Sequence, residues 1–350
     1  MNHKLLFTLF VIVAAVLVLF AVASAQAPVT TYQQIATIAL PGGLTSFDIS
    51  WADPANQRFY LADRTSAKGG GRIDVVDTQA NTLLYTIPTN KAELGFVGSV
   101  PTVTPGCSIS GPNGVVAIPQ LNQLYVGDGD SNVKVVDLRA KAIVAVIPTG
   151  GKCRADEIGY DPLDHIIMIA NPNDVPPFVT FISTDTQQVV GTYVYQGRVG
   201  GLEQPLWNRL TKRFYLTVPA TSSTPGSVDV FNATTFQMEQ SLSTPACSPA
   251  GLVLSGSQHL FTSCGQVVDA NTGNLLTTIS GVSGDQIWYN PGENRVYYGA
   301  TGGSVGVVDA ETNQIVGNIP VNGRNVAVDS ETGRVFVPVT GKGILVFTAP

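Results

Sequence analysis

Histidine is nearly absent from this chain: three residues in 350, His3, His165 and His259. His3 falls in an apolar N-terminal leader, and the other two fall in expected turns. That argues against a Ser-His-Asp triad or a histidine-bound zinc centre. Charge is scarce too. Asp, Glu, Lys and Arg make up 13% of the residues, and the net charge is -6. Nucleic-acid binding needs a dense basic footprint, so it is excluded as a partner class. Cysteine is limited to Cys107, Cys153, Cys247 and Cys264, none in the CxxC spacing of a zinc or thioredoxin site. No nucleophile and base occur together in a recognisable motif.

What is present suits a large β domain. Hydrophobic residues make up 44%, with 36 Gly and 22 Pro to serve turns. The apolar segments are rich in Val, Ile and Thr, which fit a pleated, half-buried surface. The N-terminus reads as a targeting segment over residues 1–25. Lys4 supplies positive charge, residues 5–22 are apolar but for Thr8, and Ala23-Ser24-Ala25 is an A-x-A cleavage site before Gln26. That run of 18 residues exceeds the ~7–15 usual for a signal peptide. An uncleaved anchor, the one route to a membrane, is therefore the alternative. Either way the folded part is expected outside the cytoplasm: secreted, periplasmic or on the cell surface. An even cysteine count in such a protein reads as disulfides.

The chain repeats one sentence. Copies include Val75-Val76-Asp77-Thr78, Val135-Val136-Asp137-Leu138 and Val307-Val308-Asp309-Ala310. Repeats at about 40 to 50 residues mean units that each bury a face on a neighbour. Each unit can be written as four strands, A to D. An Asp or Asn opening the C–D turn can bond the backbone two residues on. That turn position recurs as Asp77, Asp137, Ser183, Asn232, Asp269 and Asp309. A strand B aromatic recurs as Tyr60, Tyr125, Tyr215, Phe261, Tyr297 and Phe336, with Met168 in the third unit, giving seven units. The last unit lacks strand D, and residues 34–38 near the N-terminus match residues 314–319. The expectation is an all-β, seven-bladed β-propeller over residues 26–350. Its last blade is closed by the N-terminal strand, which leaves no dangling edge. A monomer is expected.

Residues 123–128, 131–137 and 146–150 resemble the YVTN family of propeller repeats, with Tyr125-Val126, Ser131-Asn132-Val133 and Ile147-Pro148 in the family's positions. The resemblance runs over residues 32–348, is strongest in units one, two and six and is weaker in units four and five. It implies a seven-bladed, commonly exported propeller. Members serve as binding and surface proteins, and related propellers include lactonases. A fold resemblance of this kind says little about chemistry.

In a propeller, strand A lines the central channel, and the D–A and B–C loops share one face. Aligning the units on the strand B residue puts Asp48, Asn113, Asp156, Glu203, about Pro249, Asp285 and Arg324 at the channel mouth. Two readings stay open. Such a ring can hold Ca²⁺ or Mg²⁺, which take several converging oxygens, and the ion could then serve a lactonase- or esterase-type hydrolase. Equally, a wet channel mouth can carry polar residues with no metal, in a non-enzymatic protein that binds a small-molecule ligand or an extracytoplasmic protein partner. Glu157, Gln204 and Gln286 follow ring positions and, as strand neighbours, are expected to point elsewhere. Asp128-Gly129-Asp130-Ser131-Asn132 opens like a calcium loop but lacks the later Gly and Glu. Trp51, Trp207 and Trp288, near the ends of A strands, read as packing. Two pairings are expected: Cys247–Cys264 across one A–B hairpin, and Cys107–Cys153 between neighbouring D–A loops. The second would order the long insertion at 89–111 over part of the mouth.

Overall fold

The computed structural model describes residues 29–65, 70–90, 94–102, 104–197, 201–299 and 303–350. The leader at 1–25 and its cleavage site lie outside them. Among the described residues, helix is limited to two 3₁₀ turns, Pro54–Asn56 and Pro119–Leu121, and no helix is long and apolar enough to cross a membrane.

The strands form seven sheets, each built in chain order. Blade one is Phe47–Asp53, Arg58–Asp63, Arg72–Asp77 and Thr82–Ile87. The inner strands of blades two to seven are Val115–Ile118, Ile158–Asp161, Pro205–Asn208, Leu252–Leu254, Ile287–Asn290 and Ala327–Asp329. The expected closure is present. Gln33–Ile38 pairs antiparallel with Gly343–Thr348 as the outer strand of blade seven. The chain does one thing more: Thr30–Thr31 pairs in parallel with blade six, making that sheet five-stranded. Tyr32, between the two strands, buries its ring and bonds its hydroxyl to Tyr297, with Arg295 donating to it.

Local chemistry repeats as strictly as the fold. Asp77, Asp137, Asn232, Asp269 and Asp309 each accept two backbone N–H groups through one side-chain oxygen, at 2.8 to 3.1 Å. These bonds hold the C–D turn without help from neighbours. Each A–B turn ends in a left-handed residue: Gln57, Asn122, His165, Lys212, Gln258, Asn294 and, in blade seven, Gly333. His165 thus has a turn role, and its ring meets the exposed Asp185. Each outer strand also joins its sheet through a β-bulge, which adds twist.

The core lies between blades. Strands B and C are apolar on both faces because each sheet is sandwiched by two others. Tyr60, Tyr125, Met168, Tyr215, Phe261, Tyr297 and Phe336 are all buried. Phe59 of blade one stacks on Phe336 of blade seven at 5.0 Å, sealing the ring closure. The tryptophans pack as expected: Trp51 meets Trp288 edge-on at 5.3 Å, and Trp207 meets Phe214 at 4.9 Å.

Both expected disulfides are present, Cys107–Cys153 with Cα atoms 5.2 Å apart and Cys247–Cys264 at 5.8 Å. Two disulfides fit an oxidising compartment. The insertion is pinned by more than its cystine. Phe96 is buried, Val97 N–H donates to the Asp128 carboxylate, and Gly98 and Gly111 exchange backbone bonds.

Candidate functional site

Backbone hydrogen bonds give the blade-to-blade equivalence directly. Asn113, Asp156 and Glu203 each donate N–H to the end of the neighbouring strand B, at Gly127, Ala170 and Thr217. The residue after each, Gly114, Glu157 or Gln204, accepts a bond back. Asp285 and Arg324 take the same position, since Gly299 donates to Gln286 and the Arg324 carbonyl accepts from Asp285 and Gln286. Asp48 reaches it through a bulge between Phe47 and Ser50. In blade five Ser263 donates to Gly251, so the equivalent is Ala250 and not Pro249. The channel face of that blade is apolar at this level.

The ring carboxylates meet guanidinium groups. Arg64, directly after strand B of blade one, bridges the Asp48 carboxylate and the Asn113 side-chain oxygen, and its Nε donates to the Pro112 carbonyl at 3.0 Å. Asn113 spends its amide on the Ala155 carbonyl at 2.6 Å. Arg154 pairs with Asp156 at 2.7 Å, and Arg324 grips Asp285 through Nε at 3.0 Å and through Nη2. Arg154 is itself held by the disulfide next to it, and its N–H donates to Ser108 in the insertion at 2.8 Å. Arg64 and Arg154 were not read from the sequence, because neither occupies the repeat position of the ring. Arg154 lies two residues before Asp156, and Arg64 lies directly after strand B of the blade that carries Asp48. The described part of the insertion packs over the loops of blades one and two and touches the mouth through Ser108 and Pro112.

Glu157, directly after the ring residue Asp156, is buried. Burial is the first cause that pushes its carboxyl well above the usual carboxylate range, and the next are the charges of Glu203, Asp156, Asp285 and Asp48. Burial, followed by Asp156, likewise raises Glu203 to about 8. Burial raises Asp156 to about 6 against the pull of Arg154. Burial opposes the Arg154 charge, yet Asp156, Asp48, Glu203 and Glu157 together hold its proton tighter than usual. These influences act between acids and arginines of blades one, three, four, six and seven. Each arginine takes one aspartate. Glu157 and Glu203 are left with no hydrogen bond or ion pair among the described residues. Of the residues that follow other ring positions, Gln204 accepts from Leu252 N–H, and Gln286 clasps Ser50 through both its amide atoms.

Among the described residues, no three His, Cys, Asp or Glu side chains are placed to hold a metal ion together. At the ring, the three aspartates are paired with arginines. In the 128–132 loop, the amino group of Lys134 lies between Asp128 and Asp130 and also donates to Gly95 O at 2.9 Å. A lysine thus stands where a calcium ion would. Two clefts of ≈ 500 Å³ lie beside the disulfides, one lined by residues such as Thr221, Thr224 and Cys247, the other by Cys107, Lys152 and Asp174, and neither includes a ring residue. Compared with models of known protein families and with curated proteins, the chain matches none.

Proposed function

We propose that this propeller is an exported binding protein that engages a small polar ligand or an extracytoplasmic partner through its charged channel mouth. One observation carries the reading. Asp48, Asp156 and Asp285 at the ring are paired with Arg64, Arg154 and Arg324, and the raised acids Glu157 and Glu203 beside them have no hydrogen bond or ion pair among the described residues. Buried ionisable groups without a partner cost stability, so their presence points to use. The likeness to YVTN repeats, the A-x-A leader and the two disulfides support export. The carboxylates needed for a metal-dependent hydrolase are largely spoken for by arginine, which favours binding over that chemistry. The test is differential scanning fluorimetry against a panel of small polar compounds, repeated on Arg324→Ala and Glu203→Gln. Compounds that stabilise the protein and lose that effect in both variants support the reading. A panel whose hits all persist unchanged in both would sink it.

A further inference from the structure

Blade one carries a buried charge imbalance beside the insertion. Asp63 ends strand B, and Arg72 and Asp74 begin strand C, with Asp63 opposite Arg72 and Leu61 opposite Asp74. Leu61 packs between blades one and seven, so strand alternation puts Asp63, Arg72 and Asp74 on that same face. Both aspartates are fully buried. One guanidinium serves the two: Arg72 Nη2 lies 2.7 Å from Asp63 Oδ2, and Arg72 Nε donates to Asp74 Oδ1 at 2.8 Å. Asp63 Oδ1 accepts the Thr65 N–H at 2.6 Å. The Oδ2 atoms of both aspartates are sealed and accept no hydrogen bond among the described residues. The elements packed on this end bring little other charge. The 39–46 and 94–98 segments have none, and the 340–343 turn of blade seven has the exposed Lys342 alone. Arg64 goes to Asp48, and Lys134 goes to Asp128 and Asp130 on the other side of the sheet, where blade two packs. Two carboxylates against one guanidinium, away from water, leave a negative charge that burial makes costly. A single proton held between them cancels it and supplies the missing donor.

We propose that Asp63 and Asp74 share one proton against Arg72, and that this proton is a pH-sensitive latch for the insertion at 89–111. Gly71, next to Arg72, is where the insertion docks. Its N–H donates to the Phe96 carbonyl at 3.0 Å, and the two residues form an isolated bridge. The fit is close: a Cβ on Gly70 would run into the Phe96 carbonyl, and one on Gly71 into Pro112 and the Gly111 carbonyl. With the proton in place, Arg72 holds the start of strand C against both aspartates, and the seat for Phe96 keeps its shape. Once the proton leaves, two carboxylates repel across the hairpin and the seat loosens. Burial, followed by the charge of Asp63, pushes the Asp74 carboxyl well above the usual carboxylate range, and a hydrogen bond between the two carboxyls acts in the same direction. A folded-state value above the unfolded one keeps the latch closed at low pH and weakens it as pH climbs through the raised value. The latch works whether or not the mouth holds a ligand.

The test joins infrared spectroscopy to hydrogen exchange on the full chain, as wild type, Asp63→Asn and Asp74→Asn. At about pH 7 the wild type should show the carbonyl stretch of a protonated carboxyl, shifted in D₂O. Each variant should lose one carboxyl's share of that band, because the single acid left ionises against Arg72. Exchange protection at Gly71 and at 94–98, corrected for the intrinsic rate, should fall at least about tenfold in wild type between about pH 6 and about pH 9, the effect of one pKa unit of linkage. In Asp74→Asn it should stay level. Asparagine is nearly isosteric with the protonated acid, so a melting temperature near that of wild type at about pH 6 confirms folding. If one variant fails to fold, the other carries the comparison. A protonated-carboxyl band of equal intensity in wild type and in a folded variant overturns the proposal. So does wild-type protection that holds steady as pH rises, or that falls equally in the variant.

Discussion

Raising the pH from about 5 to about 9 should lower the stability of this propeller, and Glu203→Gln should remove a measurable share of that loss. In the folded protein Glu203 holds its proton up to about 8, first because it is buried and then because Asp156 faces it. In the unfolded chain it releases that proton near the ordinary glutamate value of 4.5. Between those two values the folded state binds more protons than the unfolded state. Stability therefore falls as pH rises through this window and levels off above it. If the whole span were realised in an isolated group it would be worth ~5 kcal/mol. Water at the half-open mouth screens the charge, and Glu157 shares the same proton, so about 2 kcal/mol is the expected contribution. Folding entropy for a domain of this size converts that into a melting-temperature change of about 3 °C. Asp74, Asp128, Asp156, Asp161 and Glu157 are shifted upward as well, so the wild-type slope alone proves nothing. The difference between wild type and Glu203→Gln isolates one group. Melting curves at constant ionic strength should nearly coincide at about pH 5 and separate by about 3 °C at about pH 9, with the variant higher. Parallel curves across the range, or a variant that melts lower at high pH, would refute the reasoning.

Two further perturbations test the scaffold around the mouth. Lys134→Met leaves Asp128 buried without its cation, which should cost about 3 kcal/mol; limited proteolysis should then cut within 89–111 sooner than in wild type, and equal protection would show that the insertion is held some other way. Replacing Cys107 and Cys153 by Ser opens a separation of 46 residues and should cost about 4 kcal/mol, against about 3 kcal/mol for Cys247 and Cys264 at 17, so the first pair should show the larger drop in chemical-denaturation midpoint.

The repeat made the architecture legible because its signals are local. Asp77, Asp137 and Asp309 close their turns with their own side chains, and strand B aromatics such as Tyr60 and Tyr125 must be covered by a neighbouring blade wherever that blade comes from. The same local signals gave both cysteine pairings, since Cys107 and Cys153 lie in equivalent D–A loops and Cys247 and Cys264 face each other across one A–B hairpin. They also gave six ring positions by alignment: Asp48, Asn113, Asp156, Glu203, Asp285 and Arg324. The seventh slipped from Ala250 to Pro249 because blade five carries no polar residue there to mark the register.

What surrounds each ring residue belongs to tertiary structure. A carboxylate at a strand start looks the same in sequence whether it will face a metal, water or an arginine. Arg64 and Arg154 lie in loops outside the aligned position: Arg154 meets Asp156 two residues on, and Arg64 meets Asp48 across the blade-one hairpin and Asn113 in blade two. The sequence by itself determined the number of blades, their order, the closing strand and the covalent cross-links, because turn chemistry, strand burial and repeat spacing are properties of short segments. Only the packed propeller decided how charges of different blades meet, as Arg324 meets Asp285 and Arg64 meets Asn113, because those contacts depend on how neighbouring blades lie against one another.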